Sequence, residues 1–355
     1  MNLPLVTVII ATFNSERLLP LVLRSIRKQT YPKDKIEILV VDGGSTDNTR
    51  LIAKKFAAKT IPNPNVEPLH AKYLGYMQAK GKYLMYLDHD EVIENSKSLR
   101  QKVDVFLGDP NIKAVIGNGY RNPIHSNIIT RYINEFGDPF SFFVYRLSKH
   151  VDYFFSTMRR TYPSAMETSL YVLFDLSKMS RTPIIELVAG GSMVDGTFFK
   201  KTFPQIKVQY HLLPHLLYLL LPTKPYLAIM KHDALIHYSS GTMIGYIQKI
   251  IWRVKNNIFY TDTIGASGYS GREQYQSGVS RFSKMLFVPY SLSLILPILD
   301  AIYLSVTRKN IEYLIHVPLT VMTVFFILYY TLLKYIGIRP SLTSYDGSTV
   351  AYEKK

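Results

Sequence analysis

The sequence predicts an α/β fold. Its first part should be a doubly wound, mostly parallel sheet, and apolar helices should follow near the end. Three observations predict it. Short apolar runs alternate with amphipathic helical patterns, as in a parallel sheet covered on both faces. Small, polar and acidic residues stand at the ends of three of these runs, where open parallel sheets bind ligands. Two later stretches are each as long and apolar as a bilayer span.

The elements read as follows. Residues 5–11 hold a Val-Thr-Val-Ile-Ile core and read as a buried strand. They lack the basic flank and cleavage pattern of a signal peptide. Residues 16–29 read as helix, with Leu18, Val22, Leu23 and Ile26 on one face and Pro20 tolerated in the first turn. A second strand covers 36–41, a capped turn 42–47, and helix 48–58. Strand is expected at 59–62, helix at 71–79 and strand at 83–87. The middle is less regular. Residues 138–155 are rich in Phe and Tyr, 178–183 form a basic turn, and 186–191 read as a strand ending in two glycines. Short strands are expected at 226–230 and 234–238.

After residue 238 the character changes. Residues 243–259 are amphipathic and basic, with Lys249, Arg253 and Lys255, and 265–278 form a Gly/Ser-rich loop. The stretch 287–307 carries only Asp300 as a charge, and 313–333 carries none. Joined by the tight basic connection 307–310, they are expected to form a transmembrane hairpin. Arg308 and Lys309 would then lie in the outer loop. More basic residues (Arg253, Lys255, Arg272, Arg281, Lys284, Lys334, Arg339) flank the inner side.

Composition narrows the function classes. The 355 residues include no cysteine, which excludes disulfides, thiolate metal sites and cysteine nucleophiles. With 42 Lys and Arg against 26 Asp and Glu, the net charge is +16, which points to an anionic partner. No nucleic-acid-binding motif accompanies it.

The strand ends carry the chemistry. The first bears Thr12, Asn14 and Glu16, the second Asp42-Gly43-Gly44-Ser45, and the third Asp88-His89-Asp90. If the chain stays extended after the buried strand, two carboxylates two residues apart point to one side, and oxygen ligands of this kind suit Mg²⁺ or Mn²⁺.

Three ordered segments carry a resemblance: Val6 to Asn14 (VTVIIATFN), Ile38 to Thr49 (ILVVDGGSTDNT) and Ala79 to Asp90 (AKGKYLMYLDHD). Together they closely resemble the family-2 glycosyltransferases. That resemblance implies the GT-A fold, a Rossmann-like, mostly parallel sheet, with a nucleotide-diphosphate sugar donor and inversion at the anomeric carbon. It implies that Thr12, Asn14 and Glu16 border the nucleotide and that Asp42 hydrogen-bonds the base. Lys72 would stand near the diphosphate, and Asp88 and Asp90 would hold the metal. Gly190, Gly191 and Ser192 resemble a glycine loop that lets the acceptor approach. His237 resembles a histidine that completes the metal site in many GT-A enzymes. Residues 248–253 faintly resemble a Gln-x-x-Arg-Trp segment in which the Trp, here Trp252, stacks on an acceptor sugar. An interfacial helix with Trp252 at headgroup level is the alternative.

One departure bears on the acceptor. The family usually places a Glu-Asp pair about 25 residues before that histidine as the source of the general base. Residues 210–215 (YHLLPH) hold no carboxylate there. An alcohol acceptor must lose a proton as it attacks, whereas a phosphate is already an anion. The gap therefore fits a polyprenyl-phosphate acceptor. Two other readings stay open. In one, His211, His215 or Asp195 is the base of an enzyme extending a lipid-linked or surface polysaccharide. In the other, the chain binds nucleotide sugars without catalysis. The expected organisation is a GT-A domain over 1–238, an amphipathic interfacial segment and Gly-rich loop over 239–285, a two-helix transmembrane hairpin over 286–336 and a polar tail over 337–355. The expected location is the cytoplasmic (inner) membrane, with the catalytic domain facing the cytoplasm.

Overall fold

A computed structural model describes residues 3–177, 183–239, 241–261, 268–276 and 282–341. Most of the basic turn 178–183, parts of the Gly/Ser-rich loop, Arg281 and the tail beyond 341 lie outside the described residues.

The chain opens with β1 (Val6–Thr12), α1 (Leu19–Arg27), β2 (Ile36–Asp42), α2 (Thr49–Lys55), β3 (Lys59–Pro62), α3 (Pro68–Gln78) and β4 (Tyr83–Asp88). Every residue of β1 is buried, which is why this strand is apolar on both faces. β1 pairs in parallel with β2 and β4, and β2 with β3. The register sets Thr12 opposite Asp42 and Ala11 opposite Asp88, so these strand ends open on one side.

The next elements are β5 (Glu91–Ile93), α4 (Ser98–Gly108), β6 (Ala114–Ile116), β7 (Tyr120–Arg121), α5 (Ile128–Phe136), α6 (Pro139–Tyr145), α7 (Phe154–Thr161), β8 (Ser164–Glu167), β9 (Tyr171–Asp175), β10 (Met193–Asp195), α8 (Gly196–Thr202), α9 (Leu216–Leu220), β11 (Tyr226–Met230) and β12 (Leu235–His237). The nine-stranded sheet runs β3-β2-β1-β4-β10-β6-β11-β9-β8. Only its first half is the parallel sheet the sequence predicts. β10 runs antiparallel between β4 and β6, and β9 antiparallel to β11. Residues 186–191 are turns rather than a strand; the strand starts at Met193 because Gly190 and Gly191 take positive φ of 62° and 65°. A second sheet, β5-β12-β7, pairs His237 with Glu91.

Then come α10 (Met243–Phe259), α11 (Tyr269–Arg272), α12 (Phe287–Leu292), α13 (Ile295–Thr307) and α14 (His316–Tyr335). The expected span 287–307 is broken. Leu294 takes a φ of 55°, and the two helical pieces meet at 93°. One described helix, Ile311–Tyr335 with its leading 3₁₀ turn, is long and apolar enough to cross a membrane. The connection expected in an outer loop is docked on the first domain. The Arg308 guanidinium lies 2.6 Å from the Glu135 carboxylate of α5, with both side chains buried.

A buried ion pair anchors the second sheet. Lys102 of α4 meets Asp233 just before β12, both almost wholly buried, and the Asp233 amide donates to Asn118 at 3.0 Å. Removing one partner of such a pair leaves an uncompensated buried charge. Lys102→Met is expected to cost about 3–5 kcal/mol, read as a lowered midpoint in thermal or denaturant unfolding. An unchanged midpoint would show that Asp233 is otherwise neutralised.

Candidate functional site

The loops after β1 and β2 are laced together. The Asn14 amide donates to the Ser45 hydroxyl at 2.9 Å, and the Thr46 amide donates to the Asn14 side-chain oxygen at 2.9 Å. The Glu16 carboxylate accepts from the Asn48 amide at 3.1 Å. Asp42 is buried and accepts from the Ser45 amide at 3.0 Å and from the Thr12 hydroxyl at 3.3 Å. Thr12, Asn14, Glu16 and Asp42 thus shape and brace these loops. Phe13, Gly43 and Gly44 face the adjoining cavity.

At the end of β4, Lys72 of α3 reaches Asp88 at 2.6 Å. The pairing of β12 with β5 brings His237 to 3.5 Å from Asp90. Burial alone would raise the Asp90 carboxyl, but the neighbouring His237 holds it well below the usual carboxylate range. Burial would lower His237, and Asp90 more than reverses that, so the imidazole sits above its ordinary value. The sequence reading missed Glu91, although it directly follows the Asp-x-Asp pair. Its buried carboxylate accepts from the Asp88 amide at 2.9 Å, from the Gly190 amide at 3.1 Å and from the Tyr120 hydroxyl at 2.7 Å. Burial, reinforced by the Asp88 charge, pushes it up to about 7.

As folded, Asp88, Asp90 and His237 do not make a cation site. Each carboxylate already has a cationic partner, and the described residues hold no converging group of three His, Asp or Glu ligands.

Lys72 and Asp88 border a cavity of about 1530 Å³, larger than the roughly 300–1,000 Å³ of ordinary small-molecule sites. It runs from Gly43 and Asp88, past Gly190, Ser192 and Trp252, to Ile327 and Thr331 of α14. Trp252 therefore faces this cavity. Asp195 stands opposite Tyr83, at the far end of β4 from Asp88, where it caps α8 and pairs with Lys113 at 2.9 Å. His211 and His215 are not among the lining residues, and His215 is buried against Tyr218 and Tyr275. None of the three candidate bases reaches the cavity.

A carboxylate that does reach it is Glu186, ion-paired with Arg272. Burial would raise it, but Arg272, Lys72 and Lys149 together hold it below its ordinary value. Lys149 also lines the cavity and has no carboxylate within ion-pair distance among the described residues. Burial, and then the Arg253 charge, lower its pKa. Arg253 itself pairs with Asp138 at 2.7 Å. Nothing in the local sequence marks Glu186 or Lys149, because the chain segments that meet here are far apart.

Comparison with known proteins follows the same division. The family model described as glycosyl transferase family 2 matches residues 7–166. The glycosyltransferase AglE of Haloferax volcanii is 33% identical over 129 residues, 33% of this chain and 42% of AglE. The poly(ribitol-phosphate) beta-N-acetylglucosaminyltransferase TarS of Staphylococcus aureus is 32% identical over 100 residues, 26% of this chain and 17% of TarS. The chain thus spans less than half the length of these curated relatives. The mannosyltransferase PcManGT of Pyrobaculum calidifontis, solved with GDP-Man and Mn²⁺, matches with a TM-score of 0.50 at 14% identity. That match covers 94% of this chain and 88% of the other, a likeness of fold. These findings support a family-2 glycosyltransferase domain with a mixed α/β fold of GT-A type.

The Lys72–Asp88 pair yields a test. Lys72→Ala releases the Asp88 carboxylate, so it is expected to strengthen Mn²⁺ binding, read by electron paramagnetic resonance. Binding no tighter than in the unaltered protein would remove Asp88 as a prospective ligand.

Proposed function

We propose that this chain is a membrane-associated glycosyltransferase that moves a sugar from a nucleotide-diphosphate donor to a lipid-linked acceptor, with polyprenyl phosphate as the acceptor. The observation that carries the reading is the continuous cavity. One end is floored by the loops after β1, β2 and β4, and the other is walled by the apolar helix α14. A nucleotide sugar suits the first end, beside Gly43, Gly44 and Asp88. A long apolar chain suits the second, which places its phosphate between them.

Lys149 supports a phosphate there. Its ammonium lines the cavity without a carboxylate partner among the described residues, and an anion held there would gain a charge-assisted hydrogen bond. In the reaction a phosphate oxygen attacks the anomeric carbon, the bond from that carbon to the diphosphate breaks, and the nucleoside diphosphate leaves with the electron pair. No proton has to be removed from the acceptor, so the absence of a carboxylate from residues 210–215 is no obstacle. The catalytic domain would face the cytoplasm, where nucleotide sugars are made.

Glu186 favours one competing reading, an alcohol acceptor on a lipid-linked or surface polysaccharide with Glu186 as base. Its ion pair with Arg272 makes it a weak base. Purified protein supplied with a panel of nucleotide sugars is expected to glycosylate polyprenyl phosphate and not the matching polyprenol. Transfer to the polyprenol, abolished by Glu186→Gln, would establish the competing reading instead.

Lys149→Met is expected to raise the KM for polyprenyl phosphate roughly ten-fold or more, the loss of one hydrogen bond to a charged group. The pH dependence follows from the lowered pKa. Burial and the Arg253 charge make Lys149 lose its proton at a lower pH than an ordinary lysine, whose value is 10.5. Acceptor affinity should therefore fall as pH rises through the lowered Lys149 pKa, below the 10.5 of an ordinary lysine, and Lys149→Arg should flatten the profile. An acceptor KM indifferent to both substitutions would place the phosphate elsewhere.

A further inference from the structure

The apolar helices carry the positions of their own ends. The segment from α12 to α13 is fixed to the catalytic domain at three places. At its start, the Phe287 ring packs on Phe140 and Phe143 of α6, at centroid distances of 5.3 and 5.5 Å. In its middle, Asp300 meets Arg146, at the end of α6, at 2.8 Å, and also accepts from the Tyr290 hydroxyl at 2.6 Å. At its end, Arg308 is buried against Glu135 of α5, whose other oxygen accepts from the Tyr313 hydroxyl at 2.6 Å.

Helix α14 is fixed at both ends too. His316 at its start contacts Tyr132 of α5. Near its end, the Lys334 ammonium donates to the Ile258 carbonyl of α10 at 2.7 Å. The neighbouring Asn257 accepts from the Ser270 amide at 3.0 Å, and two residues on, Arg272 holds Glu186 in the cavity. Both ends of α14 therefore rest on the body that contains the candidate active site.

A spanning helix separates its ends by the hydrocarbon core, about 30 Å. Here that would carry the wall of the catalytic cavity to the opposite side of the bilayer. The exposed side chains agree with a different placement. Val321, Phe325, Leu328, Tyr329, Leu332 and Tyr335 are exposed along one stripe of α14, while His316, Leu319, Thr320, Thr323 and Val324 are buried against the protein. Helix α13 likewise exposes Ile295, Leu299, Ile302 and Val306. That is more apolar surface than a soluble monomer leaves in water. Exposed Lys309 and the basic Lys334 and Arg339 stand at the ends of these helices, where they can meet anionic headgroups.

We infer that α12, α13 and α14 form a monotopic platform, sunk into the near leaflet of an anionic bilayer without crossing it. The 307–310 connection and the end of α14 then lie on the same side as the catalytic domain. This rests on the membrane association proposed above. It also sets the apolar end of the cavity at leaflet depth, where a lipid tail can enter sideways.

The absence of cysteine from the chain makes the test direct. Asp34→Cys in the catalytic domain, Lys309→Cys in the connection and Ile338→Cys after α14 each place one thiol at an exposed position. Membrane vesicles of either orientation are treated with an impermeant maleimide. All three thiols are expected to label in the same orientation and be protected in the other. Lys309→Cys labelling opposite to Asp34→Cys would establish the two-span hairpin and overturn the platform. Ile338→Cys labelling opposite to the other two would establish a single span and overturn it equally. Membrane association is read separately, by sedimentation with liposomes of phosphatidylglycerol and phosphatidylethanolamine. Protein that stays soluble as an oligomer would mean that a second copy covers the apolar face, and would end the membrane reading itself.

Discussion

The site is organised around one buried carboxylate. Glu91 gathers the Asp88 amide, the Gly190 amide and the Tyr120 hydroxyl, and so ties the end of β4 to the Gly190 turn and to β7. A buried carboxylate without donors would be costly, and one with three fixes the groups that supply them. The β5–β12 pairing that carries Glu91 also delivers His237 to Asp90. The distance between the end of β4 and the Gly190 turn is thereby set by hydrogen bonds rather than by loop length.

Charge is balanced locally around that carboxylate. Lys72 offsets Asp88, His237 offsets Asp90, Arg272 offsets Glu186 and Arg253 offsets Asp138. Lys149 is the cavity-lining cation left without such a partner among the described residues. A cavity with nearly every charge matched binds an anion best where the match fails. The surplus of the +16 chain is therefore better read by position than as a total. Part of it stands in the cavity, and part borders the exposed apolar helices, at Lys309, Lys334 and Arg339.

How much was legible varied along the chain. The strands at β1, β2 and β4 announced themselves as apolar runs, because a strand covered on both faces has no polar face to show. The Asp-x-Asp pair at Asp88 and Asp90 was visible for the same reason, standing where a buried strand meets water. Helix α10 was legible from its amphipathic pattern. The 186–191 stretch misled: Val188 and Ala189 face a cavity, and the glycines end in a turn. Asp195 misled as well, since a strand may run either way, and antiparallel β10 carries it to the wrong end of the sheet.

The sequence by itself determined the parallel nucleus, the strand-end chemistry and the apolar character of the last helices, because each is written in neighbouring residues. Only the tertiary structure decided that Asp88 and Asp90 are already paired, that Glu186 and Lys149 share a cavity with Asp88, and that Arg308 is buried on Glu135. Those outcomes join residues from 16 (Lys72 and Asp88) to 173 (Glu135 and Arg308) positions apart. Local pattern reports which face of an element is apolar. It does not report what covers that face, and for α14 the covering divides between the rest of the protein on one side and open apolar surface on the other.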